Sequence, residues 1–170
     1  VSFHHVGSEL EALLFEDKLI RNREPELNVQ RQIREGASRC SFTPQPVVIV
    51  ATSARPRRSE VFVFGTTSEA FQISINPARP PRKLLSQLFR YVRSEGRSTH
   101  RPRRRARFRN WGRPGHELCQ RYLSRSAHDV NWLVLDDDVP PDQQLDAVTE
   151  IARQVVDEQT PPAEFRLTDR

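Results

Sequence analysis

The sequence predicts an α+β fold for this 170-residue chain, and three observations carry that reading. Apolar residues recur at helical spacing in several stretches, the first opened by a capping motif and the last by a proline. β-Branched and aromatic residues gather in short runs bounded by turn-forming residues. With 36% hydrophobic and 29% charged residues, the chain has material for one modest domain, or one domain with an appendage.

Taken in order, Ser2 to Val6 alternates weakly and reads as the end of a strand. Ser8-Glu-Leu-Glu11 is a capping box, in which the Ser8 hydroxyl accepts from the Glu11 N–H and the Glu11 carboxylate reaches back to Ser8. A helix follows to about Asn22, and Pro25 ends it by forcing Glu24 out of the α region. Val47 to Ala51 and Val61 to Phe64 read as strands joined through the basic, proline-containing turn Arg55 to Arg58. Phe71 to Ile75 is a further strand, closed by Asn76-Pro77. Leu84, Leu85, Leu88, Phe89 and Val92 make Arg82 to Ser94 an amphipathic helix. Pro114 to Ser124 reads as a short helix, and Trp132 to Leu135 as a buried strand ended by Asp136 to Asp138. Pro141 opens a final helix to about Glu158, with Leu145, Val148, Ala152, Val155 and Val156 on one face.

The charge is unevenly placed. There are 27 basic and 22 acidic residues, a net of +5. Eight arginines lie between Arg97 and Arg113 with no acid among them, which leaves 19 basic against 22 acidic elsewhere, a net of −3. Guanidinium groups pair bidentately with phosphate, and Phe108 and Trp111 interleave aromatic faces able to stack on bases or sugars. Arg101, Arg103, Arg104, Arg105, Arg107, Arg109 and Trp111 are therefore candidate DNA-binding residues; a solvated, self-repelling linker is the competing reading. The longest apolar run, Pro46 to Ala51, is far shorter than the ~20 residues of a helical span, so no membrane partner is expected. The chain opens on Val-Ser-Phe-His and has no methionine, which reads as a processed chain or a piece of a longer protein.

Metal and nucleophile motifs are few. Cys40 and Cys119 are far apart and read as structural thiols. His4, His5, His100, His116 and His128 show no ligand spacing, and Thr66-Thr67-Ser68 lacks the residues of a phosphate loop. Asp136 to Asp138 suits a turn better than a metal site. One carboxylate stands out. Glu16 is flanked on its helix face by Ala12, Leu13, Leu19 and Ile20, with no basic residue three or four positions away. A carboxylate on an apolar face has to be paired, protonated or bound to a metal. A salt bridge to a distant arginine and a one-carboxylate Mg²⁺ site are both open.

The stretch Ser8 to Asn28 resembles the closing helix and loop of the GIY-YIG nuclease domain of the UvrC excinuclease type. Agreement covers Glu9, Glu11, Ala12, Leu13, Leu14, Glu16, Leu19, Ile20, Pro25 and Asn28, with Arg21 where that family often has lysine. Leu27 replaces the family's tyrosine, and Gln30 to Glu35 replaces its acidic and basic run. Pro46 to Ala51 and Val61 to Gly65 echo the strand pair that follows the nuclease domain. The resemblance implies that Glu16 holds one catalytic Mg²⁺ or Mn²⁺ and that Asn28 closes the active-site loop. It implies a cytoplasmic DNA endonuclease of nucleotide excision repair, partnered by DNA and other repair proteins. The family's tyrosine strands and helical arginine precede the glutamate helix and are not in this sequence. The chain is thus expected to be the C-terminal part of such a nuclease, inactive by itself, with the parent either a shorter relative or a fusion to an exonuclease domain. The alternative is a non-catalytic nucleic-acid-binding or adaptor module. The expected organisation is 1–32 for the glutamate helix and loop, 33–94 for the strand pair and amphipathic helix, 95–113 for the arginine linker, and 114–170 for the last strand and helix.

Overall fold

The computed structural model describes residues 5–23, 45–65, 69–93 and 108–159. Its elements are α1 (Glu9–Arg23), β1 (Val47–Thr52), β2 (Ser59–Phe64), β3 (Ala70–Ile75), α2 (Arg82–Arg93), β4 (Phe108–Trp111), α3 (Gly112–Ser126), β5 (Asn131–Val134) and α4 (Pro141–Gln159). Helices and an antiparallel sheet occur together, which is the α+β class. The five strands run in the order β4-β3-β2-β1-β5, antiparallel at every pairing.

Strand alternation sorts the sheet's side chains into two cores. On one face Val48, Val50, Val61, Val63, Phe71, Ile73 and Ile75 pack against Leu85, Leu88, Phe89 and Val92 of α2 and Leu145, Val148, Ala152 and Val155 of α4. On the other, Val47, Ile49, Phe62, Phe64 and Ala70 meet Leu10 and Leu14 of α1 and Leu118, Cys119 and Leu123 of α3. The central strands are covered on both sides, so Val47 to Ala51 of β1 and Val61 to Phe64 of β2 read as unbroken apolar runs. Local chemistry sets the ends: Asn76 Oδ1 accepts from Ala78 N at 3.0 Å after β3, and Asp136 Oδ1 accepts from Asp138 N at 2.9 Å after β5. The aspartate run is thus a turn. Ser59 Oγ donates to the Ala152 carbonyl at 2.8 Å and ties α4 to the sheet.

Three expectations are corrected. Phe108 to Trp111 is not linker but the edge strand β4, paired with β3 through Phe71↔Asn110, Gln72↔Arg109 and Ile73↔Phe108. β5 is not a buried strand: it is the other edge, paired only with β1, and Trp132 stays 38% exposed. The Glu11 carboxylate reaches back to Gly7 N (3.0 Å) rather than to Ser8, while the Ser8 Oγ accepts from Glu11 N at 3.2 Å as the capping box requires. Val1 to His4, Asn28, Cys40, Thr66 to Ser68, His100 and the arginines from Arg97 to Arg107 lie outside the described residues, and His5 and Val6 belong to no strand. Among the described residues no helix is long and apolar enough to cross a membrane.

The turn from β4 into α3 depends on two glycines. Gly112 has φ +63°, in the left-handed region, and its N–H donates to Asn110 Oδ1 at 2.7 Å. Gly115 sits where a Cβ would overlap the Trp111 side chain and stand 3.3 Å from Leu14 Cδ2. Gly115→Ala should therefore destabilise the fold by about 1–3 kcal/mol through overpacking at the α1–α3 seam. The check is a lower urea midpoint with an unchanged slope; an unaltered midpoint would mean the seam is loose.

Candidate functional site

Two strands that should be wholly apolar are interrupted on the face toward α1. β2 carries Glu60 and β3 carries Gln72, 6% and 5% exposed, and α1 brings Glu11, 9% exposed, down onto them. Gln72 pairs with Phe62 and Glu60 with Ser74, so Gln72 and Glu60 are diagonal neighbours on one face. A buried amide has to place two N–H groups and a carbonyl. Gln72 Nε2 donates to Glu11 Oε1 and to Glu60 Oε2, each at 2.9 Å, and Gln72 Oε1 accepts from Trp111 Nε1 at 3.0 Å. The indole nitrogen can only donate, which fixes the amide's orientation. Ser53 Oγ donates to Glu60 Oε1 at 2.7 Å, and Gly7 N supplies Glu11 Oε2. Each carboxylate oxygen thus receives one donor, and among the described residues neither carboxylate has a cationic partner.

A cavity of about 410 Å³ opens beside this network, lined in part by His5, Phe15, Arg55, Ser74 and Arg109. Its rim is cationic. Arg58 Nε donates to Ser74 Oγ at 2.9 Å and leaves the β1–β2 turn basic. Arg109 is exposed, and its guanidinium carbon lies 4.5 Å from the Phe15 ring centroid and 5.0 Å from that of Trp111. Phe15 and Trp111 meet edge to face, centroids 5.2 Å apart, and Lys18 Nζ stands 5.9 Å from the Trp111 ring. Arg109 forms no ion pair with a described residue. Phosphate fits such a group; the carboxylate floor fits hydrogen-bond donors.

The expected residues divide as follows. Arg109 and Trp111 come together as an arginine stacked on aromatics, joined by Phe15 and Lys18 of α1. Arg113, of the same arginine run, is engaged in an exposed pair with Glu117, 3.0 Å. Glu16 is exposed, not set in an apolar face. The inward stripe of α1 is Leu10, Glu11, Leu14 and Asp17. A helix turns about 100° per residue, so Glu16 falls well away from Asp17. That stripe carries two buried carboxylates, Glu11 of the network and Asp17, which is bound by Arg21 Nε at 2.8 Å. The described residues hold no group of three or more His, Cys, Asp or Glu suited to a metal, and Glu16 offers one accessible carboxylate. His116 Nε2 hydrogen-bonds the Gly65 carbonyl at 2.8 Å, and His128 is exposed. Cys119 is buried, which pushes its thiol up, away from the nucleophilic thiolate. Burial, then Glu9 and Asp129, likewise raises Tyr122.

Glu11, Glu60, Gln72 and Ser53 were not anticipated from sequence; the available signal was a polar residue inside each of two apolar strands. Gln72→Leu removes the shared donor and leaves two buried carboxylates and the Trp111 N–H short of a partner. It should cost about 2–5 kcal/mol. Chemical denaturation checks it, and a loss under 1 kcal/mol would show that water replaces the amide. Comparison with protein-family models, curated proteins and solved structures finds no match for this chain.

Proposed function

We propose that this chain contacts DNA through the edge formed by β4 and the adjoining side of α1. The observation that carries the reading is the Arg109 guanidinium held on Phe15 and Trp111, with its donors unspent among the described residues. It stands within the arginine-rich run from Arg97 to Arg113, whose other cations neighbour it in sequence. Stacking holds the guanidinium in place while phosphate takes its fork of N–H groups, and Lys18 adds charge nearby. Arg101, Arg103, Arg104, Arg105 and Arg107 would extend the contact along the backbone.

The resemblance of α1 to the GIY-YIG glutamate helix favours an endonuclease parent of the excision-repair type, acting on DNA in the cytoplasm with other repair proteins. Glu16 would hold the single Mg²⁺ or Mn²⁺, which supplies Lewis-acid stabilisation of the phosphate when bound. An exposed carboxylate with no described partner is compatible with that role, and Asn28 would close the loop beside it. The non-catalytic binding module remains the second reading: it needs the Arg109 edge and makes no use of Glu16.

Fluorescence anisotropy with a labelled oligonucleotide at 50 and 200 mM salt tests the contact. Arg109→Ala should weaken binding about three- to tenfold at low salt and lower the salt slope by about one. Glu16→Gln should leave metal-free binding unchanged within twofold. Binding that ignores both salt and Arg109 would refute the assignment.

A further inference from the structure

We propose that the cavity beside Gln72 takes a single nucleotide and prefers guanine; this deepens the DNA-contact reading and relies on it for the phosphate. At the Glu11–Glu60 end of the cavity the network leaves only acceptors. Both N–H groups of Gln72 are spent on Glu11 and Glu60, its oxygen is spent on Trp111, and the Ser53 hydroxyl proton goes to Glu60. The carboxylates keep their second lone pairs. Both are more than nine-tenths buried, and neither forms an ion pair with a described residue to offset the loss of water. A ligand edge with adjacent N–H donors offsets it.

Guanine presents that edge, since its N1–H and 2-amino group point the same way and match a carboxylate bidentately. Adenine and cytosine set an acceptor nitrogen beside their amino group, and that lone pair would meet the carboxylate. Uracil and thymine flank one N–H with two carbonyls. At the mouth, Arg109 has the opposite character. Its guanidinium lies against Phe15 and Trp111, and its fork of N–H groups suits a phosphate. A donor edge at one end and an anion at the other describe a guanine nucleotide. The volume of about 410 Å³ is within the usual range of ligand sites. A divalent cation fits less well, because the Gln72 nitrogen already stands 2.9 Å from both carboxylates, in the place a bridging ion would occupy.

Titration calorimetry of the full chain in EDTA, with GMP, IMP, AMP, CMP, UMP and inorganic phosphate, tests this without relying on any variant. GMP should bind at least about tenfold tighter than AMP, with IMP, which lacks the 2-amino group, in between. Arg109→Ala should weaken every nucleotide alike. Glu60→Gln, verified as folded by circular dichroism, should bring GMP to within about threefold of AMP. Equal binding of GMP and AMP, or phosphate as tight as GMP, would each overturn the proposal. Salt-dependent oligonucleotide binding with no nucleotide preference would sink this inference alone. A guanine preference in a chain that fails to bind oligonucleotides would sink the DNA-contact reading alone.

Discussion

A glutamine amide 5% exposed inside a sheet covered on both faces takes its partners from the protein around it. Those partners come from four places in the chain: Glu11 at the start of α1, Glu60 in β2, Trp111 at the end of β4, and Ser53 through Glu60. The network therefore locks the first helix, the β1–β2 turn and the β4–α3 junction to one another. Apolar packing of Leu10 and Leu14 against Phe62 and Phe64 holds α1 on the sheet, but packing of this kind tolerates sliding. Hydrogen bonds with one allowed orientation do not.

The same network sets the electrostatics of the cavity. By drawing every donor of Gln72 and Ser53 onto carboxylates, it leaves a floor of acceptors under a rim of arginines. Trp111 serves on both sides of that division. Its indole N–H holds the amide below, while its ring supports Arg109 above. Gly115 makes this possible by leaving room for the Trp111 side chain between α3 and Leu14.

Most of the architecture was legible in the sequence because it rests on periodicity and punctuation. The helices of α2 and α4, the strands β1 to β3 and the Asn76 turn follow from apolar spacing and from residues with one strong local habit. The orientation of α1 was not legible. Leu10 and Leu14 lie on one side and Ala12, Leu13, Leu19 and Ile20 around the rest, so its apolar pattern does not choose a face, and Leu19 ends up 42% exposed. β4 escaped notice because its four residues include Arg109 and Asn110 and sit at the end of a charge run. Arg109 and Trp111 were legible as an arginine with interleaved aromatics. Phe15 was not, since only the fold brings α1 beside β4. Glu60 and Gln72 are single polar residues beside or within apolar runs, and only coverage of both faces turns them into a buried network.

The chain has two tryptophans, and the sheet puts them at opposite edges, Trp111 in β4 and Trp132 in β5. Each can be read alone by changing the other to phenylalanine. The most direct test is an oligonucleotide titration followed by tryptophan emission in the two single-tryptophan proteins. The account predicts that Trp111 emission is quenched and recovers as salt is raised, while Trp132 emission does not change. Quenching of Trp132 with an indifferent Trp111, at concentrations where anisotropy reports binding, would contradict it by placing the contact on the other edge of the sheet.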